Sequence, residues 1–197
     1  MFTIEIQNNT YERNTYPNIH CDDMDDGKKR CKWAERDELS LRYHDEEWGV
    51  PLNTDSEHLE RLALEIFQAG LSWWLMLAKR DGFVKAFDGF VPEVVALYGD
   101  VDIEMERLLS DRGIVRNRRK IEAVIHNAGV FVDIARIHGS YTNWFNGLPT
   151  DENYLLAEFR KLFKFCGPEV TRSYLMSVGK ILAEHEDGCW RKSQAQG

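Results

Sequence analysis

The amino-acid sequence predicts an all-α protein. Apolar residues recur at spacings of three and four along most of the chain, which is the periodicity of helices with one buried face. Polar capping residues precede these segments and glycines follow them, as expected at helix ends. Alternation typical of a strand is confined to residues 2–6. A chain of 197 residues can bury a substantial core, so a single domain accounts for it.

The first three predicted helices lie in the N-terminal half of the chain. The first begins behind a polar cap at residues 54–56 and ends at Gly70, a residue suited to a helix C-terminus. The second begins near Ser72. The third begins at Pro92, because proline suits the first turn of a helix, and Gly99 marks its exit.

Four further helices are predicted in the C-terminal half. One covers residues 102–111, and a long amphipathic helix begins near Asn117 and stops at Gly139. A third lies within residues 155–163. The last helix is predicted from residues that recur with helical spacing: Val170, Tyr174, Val178, Ile181, Leu182 and His185.

The domain organisation follows from the contrast between the two ends of this pattern. Residues 1–30 carry an acidic cluster and a short basic run without sustained periodicity, so they are predicted to form a flexible extension. Residues 31–197 are predicted to form a single helical domain without internal repeats.

Composition excludes several classes of protein. No stretch approaches the roughly 20 apolar residues of a membrane span, and no secretory signal is visible, so the expected location is the cytoplasm. The cysteines Cys21, Cys31, Cys166 and Cys189 are too few and too scattered for a disulfide scaffold. A net charge of −8 argues against a protein that coats nucleic acid nonspecifically, because such a protein needs a basic surface.

Residues 111–120 depart from this overall acidity. They carry five basic side chains and one acidic side chain, a local charge of +4 between two predicted helices. A glycine turn followed by a helix N-terminus favours a phosphate, so the segment is typical of a helix-hairpin-helix element that grips a DNA backbone. A solvated basic helix start is the alternative. The candidate DNA contacts are Gly113, Ile114, Arg116, Asn117, Arg118 and Lys120.

Two cysteines and two histidines form a candidate metal site. His185 and Cys189 are four residues apart at the predicted end of the last helix, so both side chains can face one point. Cys31 and His44 lie at the other end of the folded region, and a Cys2His2 set satisfies tetrahedral zinc. Buried thiols and core histidines are the alternative, since no CxxC motif is present. If zinc binds, four protein ligands make the site closed and structural.

Glu65 is a candidate for a carboxylate in a binding pocket. It borders the apolar stripe of its predicted helix and is followed by the sequence Gly-Leu-Ser-Trp, which ends at Trp73. It can therefore point into a pocket floored by tryptophan. The alternative is an ordinary glutamate that faces solvent, as most helical glutamates do.

Together, these motifs indicate a known protein family. The chain resembles the DNA-3-methyladenine glycosylase I family of the helix-hairpin-helix superfamily, in five stretches with consistent order and spacing: RCKWAERDELSLRYHDEEWGVP, LALEIFQAGLSWWLMLAKRDGFVKAFDGF, DRGIVRNRRKIEAVIHNA, FKFCG and HEDGC. The resemblance implies the helix-hairpin-helix glycosylase fold. It also implies one structural Zn²⁺ per chain, held by Cys31, His44, His185 and Cys189, which ties the N- and C-terminal parts together. Glu65 falls on the carboxylate that recognises the base, and the aromatic pocket falls on Trp33, Tyr43, Trp48 and Trp73.

The activity implied by the resemblance is hydrolysis of the N-glycosidic bond of 3-methyladenine in alkylated double-stranded DNA, by a monomer. Methylation at N3 places a positive charge on adenine, which weakens the bond and makes the base a good leaving group. Because no lysine occupies a matching position, no lyase step is expected. The alternative is a catalytically silent DNA-binding or interaction domain of the same fold.

The chain departs from the family pattern at a few positions. Ser173 keeps the family's serine in the last helix, but Arg172 and Met176 beside it are unusual. Ser40 stands where the family commonly has a second tyrosine, and residues 179–185 replace the usual lead-in to the third ligand. These departures are expected to touch one wall of the pocket.

Overall fold

The structure is a computed structural model, and it describes residues 26–100 and 102–194. Within these ranges all regular structure is helical and no strand occurs, which confirms the predicted all-α class. The α-helices are α1 (Glu38–Arg42), α2 (Asp55–Gln68), α3 (Trp73–Ala86), α4 (Pro92–Val95), α5 (Asp102–Ser110), α6 (Arg118–His138), α7 (Tyr141–Gly147), α8 (Glu152–Leu162), α9 (Pro168–Ser177) and α10 (Trp190–Gln194). The strand-like residues 2–6 and Cys21 lie outside the described residues.

Helix ends form where the capping residues predict them. Thr54 accepts a hydrogen bond from the Glu57 amide, and the Glu57 carboxylate accepts one from the Thr54 amide at 2.9 Å, which is a complete capping box for α2. The side chains of Ser72 and Asn117 cap α3 and α6 by accepting from the amides of Leu75 and Lys120. Gly139, with φ of +85°, ends α6 as predicted.

The core lies around α6, which packs against α2, α4, α5 and α7. Its buried face presents Ile121, Val124, Ala128 and Phe131, each fully or almost fully buried. The ring of Phe131 stacks on Tyr141 of α7 with 3.6 Å between ring centroids. Full burial of each large apolar side chain contributes about 1.5–3 kcal/mol, so this stripe fixes where α6 begins and therefore where the hairpin before it lies.

The third predicted helix is shorter than the sequence indicates. α4 ends at Val95, and Ala96–Asp100 continue as a 3₁₀ turn. The tighter turn brings Gly99 against α6, where an added Cβ would lie 3.4 Å from Ile125 Cγ2.

The last predicted helix is wrong in its C-terminal part. α9 ends at Ser177, so Ile181, Leu182 and His185 are not helical. The Gly179 amide donates to the Met176 carbonyl and the Lys180 amide to the Leu175 carbonyl, which is the bonding pattern of a Schellman end. Gly179 has φ of +67° and lies against residue 49. Helical periodicity in the sequence therefore extends beyond the helix itself.

Gly179→Ala tests how strongly this turn determines the fold. An alanine Cβ would lie 2.6 Å from the Gly49 carbonyl oxygen and would also adopt an unfavourable positive φ. We expect the free energy of unfolding to fall by about 3 kcal/mol. Gly139→Ala is the matched control, because it has the same positive φ at a helix end and its nearest neighbour lies at 3.5 Å. It should cost about 1 kcal/mol. Equal losses in the two variants, measured by urea denaturation, would contradict this account.

Part of the predicted N-terminal extension belongs to the folded structure. Arg30 is 6% exposed and donates to Asp26 and to Asp45, with the closest approach of 2.7 Å in each pair. Residues 26–30 are therefore held against the helical domain by a buried guanidinium group. Residues 1–25, which carry the rest of the predicted extension, lie outside the described residues.

Candidate active site

A cavity of about 440 Å³ opens between α2, α3 and the segment before α2. Its walls contain Glu65, the four predicted aromatic residues and Ser173, together with six further residues. The lining residues are Lys32, Trp33, Arg36, Ser40, Tyr43, Trp48, Glu65, Gln68, Ser72, Trp73, Trp74 and Ser173. The volume lies within the range of about 300–1,000 Å³ that is typical of small-molecule sites.

The local backbone explains how these side chains converge. Residues Tyr43–Glu47 form one turn of π-helix directly after α1, closed by a 2.8 Å hydrogen bond from the Trp48 amide to the Tyr43 carbonyl. Such single π-turns are common at functional sites. Tyr43 and Trp48 stand at the two ends of this turn, and both rings line the cavity. Trp73 enters from the first position of α3, behind its cap Ser72.

Four aromatic rings form a continuous wall. The Tyr43 centroid lies 4.9 Å from that of Trp73, 6.1 Å from that of Trp48 and 6.2 Å from that of Trp33, and all three pairs are tilted. Tilted neighbours leave ring faces available, whereas mutual stacking would cover them. The wall therefore suits a flat guest that stacks between rings.

Two indole groups on this wall also have free hydrogen-bonding capacity. The Nε1 atoms of Trp48 and Trp73 are shielded from solvent and have no acceptor among the described residues. An unsatisfied buried donor is unfavourable, and a polar guest would supply the missing acceptor. The family resemblance placed both tryptophans in the aromatic pocket but did not indicate this free donor capacity.

Glu65 lies at the base of the cavity and is 3% exposed. Its carboxyl group forms no hydrogen bond and no ion pair with any of the described residues. Burial raises the pKa of its carboxyl group to about 8, and the Arg61 guanidinium opposes part of this rise. The exposed alternative for Glu65 is therefore excluded. At neutral pH a carboxyl group with this pKa is mostly protonated, and a cation in the cavity would favour its charged form.

A partly buried ion-pair network, which the sequence did not predict, lies next to the cavity. Arg61 donates to Glu47 at 2.7 Å, and Arg80 donates to both Glu47 and Glu60 at 2.7 Å. Arginine and glutamate on a helix ordinarily indicate a solvated face, so no sequence signal separates these residues from surface charges. Two guanidinium groups face three carboxyl groups here, and Glu65 is the one without an ion-pair partner.

The departures from the family pattern are distributed differently from the prediction. Ser40 and Ser173 line the cavity, and Ser40 donates to Asp37 at 3.2 Å. Arg172 instead pairs with Glu152 across α8 and α9, and Met176 does not line the cavity. Of the unusual residues, only Ser40 therefore alters the wall.

The four predicted metal ligands meet at one point. Their ligand atoms all lie within 4.8 Å of one another: Cys31, His44, His185 and Cys189. The Cys189 sulfur is 3.4 Å from His44 Nε2 and 3.7 Å from His185 Nδ1, and the Cys31 sulfur is 3.6 Å from His185 Nδ1. Bond lengths of tetrahedral zinc place sulfur and nitrogen ligands about 3.6 Å apart. The donor set and its spacing therefore fit a metal ion of this kind.

A second layer of contacts orients the cluster. His44 Nδ1 lies 2.7 Å from Asp45, whose carboxylate also accepts from Arg30 and from the Trp190 indole. A carboxylate on the outer nitrogen of a histidine is the usual support for a metal-binding imidazole. His185 and Cys189 belong to the irregular segment after α9, and not to a helix end as predicted.

The hairpin between α5 and α6 is present and is held against α3. The Gly113 amide donates to Asp111 at 2.6 Å, and an added Cβ at Gly82 would lie 2.5 Å from the Gly113 carbonyl oxygen. Lys79 also donates to the Arg112 carbonyl at 2.8 Å. The hairpin is thus a fixed part of the molecule.

The predicted DNA contacts separate into two groups. Arg116, Asn117 and Arg118 are exposed at the start of α6. Ile114 is buried in the core. Lys120 is 7% exposed and donates to the carbonyls of Phe67 and Ala69 at 2.8 and 2.6 Å, so its ammonium group caps the end of α2 and is not available to a phosphate. Lys120 instead ties the hairpin to the loop at the edge of the cavity.

Comparison with known proteins identifies relatives of this architecture. A family model described as methyladenine glycosylase matches residues 33–161. DNA-3-methyladenine glycosylase 1 of Escherichia coli (strain K12) is 34% identical over 182 residues, which cover 82% of this chain and 95% of that protein. A crystal structure of a variant of 3-methyladenine DNA glycosylase I in complex with 3-methyladenine has a TM-score of 0.72 and 31% identity, and the match covers 83% of this chain and 97% of that one. The Staphylococcus aureus 3-methyladenine DNA glycosylase I has a TM-score of 0.69 and 32% identity, with coverage of 80% and 93%.

The shared architecture places this chain in the class of all-helical DNA glycosylases. The match extends from the aromatic wall through the hairpin and includes almost the whole length of each relative. The chain belongs to the methyladenine glycosylase family.

No helix among the described residues combines the length and the apolar character that a membrane crossing requires.

Proposed function

We propose that this protein releases 3-methyladenine from alkylated double-stranded DNA by hydrolysis of the N-glycosidic bond, and that it acts as a monomer. The observation that carries the proposal is the buried, unpaired Glu65 carboxyl group within an aromatic cavity. The relatives named above are 3-methyladenine glycosylases by name.

Charge supports selection of a methylated base over an ordinary one. A flipped 3-methyladenine carries a positive charge, which can contact the faces of Tyr43 and Trp73 while its amine side donates to Glu65. Cation–π attraction is worth about 0.5–2 kcal/mol and a charged hydrogen bond about 1.5–3 kcal/mol. Together they give about 2–5 kcal/mol, or roughly 30- to 5,000-fold discrimination. An unmodified adenine lacks the positive charge on which the cation–π attraction and the charged hydrogen bond depend.

The reaction needs little further assistance from the protein. The cationic base is already a competent leaving group, so the cavity can act by holding it in the extruded position. Stabilisation of positive charge at the sugar comes from nearby carboxylates and the DNA phosphates as water attacks. Binding of the base thus holds the glycosidic bond where water can attack the sugar, and the base leaves with the electron pair of that bond.

We propose that no lyase step follows. Lys32 lines the cavity, which the sequence analysis did not predict, and a lysine amine is the group that would form a Schiff base with the opened sugar. Its side chain is exposed to solvent, which is unfavourable for a nucleophilic amine. Borohydride trapping on methylated duplex DNA should give no covalent adduct. An adduct that Lys32→Gln abolishes would contradict a purely hydrolytic enzyme.

We propose one structural Zn²⁺ per chain at the four-residue cluster. Two thiolates and two imidazoles satisfy the tetrahedral preference of zinc and leave no position for water. When bound, the ion supplies a crosslink between the two ends of the domain.

We propose that DNA phosphates bind at the start of α6. Arg116 and Arg118 are exposed there beside the positive end of the helix dipole, and Gly113 permits the tight turn that presents them. Because few phosphates are gripped, binding to undamaged duplex should be weak and should fall with salt.

Base release from methylated DNA tests the proposed activity. The purified protein is incubated with N-methyl-N-nitrosourea-treated duplex DNA, and released bases are separated by chromatography. We expect 3-methyladenine in the soluble fraction and a negligible yield of unmodified adenine. Absence of 3-methyladenine release by folded, zinc-loaded protein would overturn the proposal in favour of a silent DNA-binding domain.

A further inference from the structure

Arg61 is a buried arginine directly behind the cavity. It is 2% exposed, and its guanidinium carbon lies 4.9 Å from the centroid of the Tyr43 ring. It precedes Glu65 by four residues on α2, so the two side chains lie on the same face of the helix. Arg61 does not line the cavity itself.

The hydrogen bonds of Arg61 determine what Tyr43 offers to a guest. Arg61 Nη1 donates to the Tyr43 hydroxyl oxygen at 3.0 Å and to the Ser177 carbonyl at 3.3 Å. The phenolic oxygen therefore acts as an acceptor on its Arg61 side. Its own hydrogen has no acceptor among the described residues, and it remains available to a molecule in the cavity.

The charges around Glu65 single out Arg61. Arg80 is engaged by Glu47 and Glu60, and Glu47 also pairs with Arg61. Lys32 and Arg36 line the cavity wall but are exposed to solvent, where charges are screened. Arg61 lies one helical turn before Glu65 on the same face of α2, and its positive charge lowers the pKa of the Glu65 carboxyl group.

We propose that Arg61 is a positioning residue that tunes this cavity for a cationic base, because it holds Tyr43 as a hydrogen-bond donor and provides the positive charge beside Glu65. This inference rests on the proposed function. Its physical consequence concerns the protonation of Glu65. Without the guanidinium, the carboxyl group holds its proton to higher pH, and a cationic base must compete with that proton.

The first test measures Glu65 without substrate. The carboxyl ¹³C shift of Glu65 is followed by NMR from pH 5 to 10 in wild type, Arg61→Met and Arg61→Lys. We expect the titration midpoint to rise by about one unit or more in Arg61→Met, as expected when a neighbouring cation is lost. Arg61→Lys keeps the charge and should keep the midpoint. An unchanged midpoint in Arg61→Met would overturn the proposal.

The second test measures kcat/KM for base release against pH, because this ratio reports the titration of the free enzyme. Arg61→Met should lose about tenfold at pH 7 and recover most of the loss at alkaline pH, since one pKa unit corresponds to a tenfold change. A loss of equal size at every pH would show a merely structural role and would also overturn the proposal. If Arg61→Met does not fold, Arg61→Gln removes the charge and keeps a polar donor, with the same expected result.

The matched control is Arg107→Met. Arg107 also stacks on a tyrosine, 5.4 Å from the Tyr98 ring centroid, and donates to a backbone carbonyl, but it lies outside the cavity. Its loss should leave both pH profiles unchanged. If wild type releases no 3-methyladenine, the proposed function fails, while the NMR titration still decides whether Arg61 controls Glu65.

Discussion

Glu65→Gln is expected to lower the rate of 3-methyladenine release by about 10²- to 10³-fold and to raise the stability of the protein. The loss follows because the amide removes the negative charge on which a charged hydrogen bond to the base depends, and an interaction of this kind contributes on the order of 3 kcal/mol. The fold and the metal content should be unchanged. Single-turnover release from methylated duplex DNA measures the loss.

The gain in stability has a defined pH dependence. The pKa of Glu65 is raised from its ordinary value of 4.5 to about 8 in the folded protein, so between these pH values the folded state holds a proton that the unfolded state releases. The stability of wild type therefore falls as the pH rises through this window. Glutamine does not titrate, so its advantage should be absent below about pH 4.5 and complete above about pH 8. It should reach on the order of 3–5 kcal/mol.

Glu60→Gln is the matched control for this prediction. Glu60 is a buried glutamate on the same helix, but it forms a 2.7 Å ion pair with Arg80. Its replacement leaves a buried guanidinium without part of its compensation and should destabilise the protein. Urea denaturation at pH 5 and pH 9 separates the two cases. A Glu65→Gln variant that is less stable than wild type at pH 9 would show that the Glu65 carboxylate is compensated.

Removal of the metal is expected to produce the second large effect. Cys189→Ser removes one of the four ligands, and we expect it to reduce zinc content from about one per chain to near zero. Loss of the crosslink should lower the thermal unfolding midpoint by about 10 °C. The expected loss of stability is a few kcal/mol, and each kcal/mol lowers the midpoint of a domain of this size by about 2–4 °C. Elemental analysis and a thermal melt give the two readouts.

Cys166→Ser is the control for the thiol itself. Cys166 is also buried, and its pKa is raised by burial to about 12, but it lies outside the cluster. Its replacement should retain the metal and change the melting midpoint only slightly. If Cys189→Ser keeps a full complement of zinc, or if a chelator leaves the wild-type midpoint unchanged, the cluster does not act as a structural metal site.

Local features of the sequence predicted much of this molecule correctly. Thr54, Ser72, Asn117 and Gly139 mark helix ends because capping depends on only a few neighbouring residues. The aromatic wall and the four-residue cluster came from motif order and spacing in the family resemblance. For both, composition and spacing alone left the alternative open.

The features that were missed depend on contacts between distant parts of the chain. Arg61, Lys120 and the end of α9 look ordinary in the sequence. Lys120 belongs to a basic run, but its ammonium group meets carbonyls some 50 residues earlier in the chain. The apolar stripe after Ser177 has helical spacing, but residue 179 packs against residue 49, which ends the helix. Periodicity and charge runs do not encode which distant backbone a residue meets.

The cluster of two cysteines and two histidines also sets the timing of assembly during protein synthesis. His44 and His185 meet in it, so 141 residues must be added to the growing chain between one imidazole and the other. At about 5–20 residues per second, this interval lasts roughly 7–28 s. Because His44 directly follows Tyr43 of the cavity wall, the proposed metal site would fix this part of the wall only after His185 and Cys189 have emerged from the ribosome. A nascent chain can therefore form α2 and its capping box early, but we expect it to become competent for repair only near the end of translation.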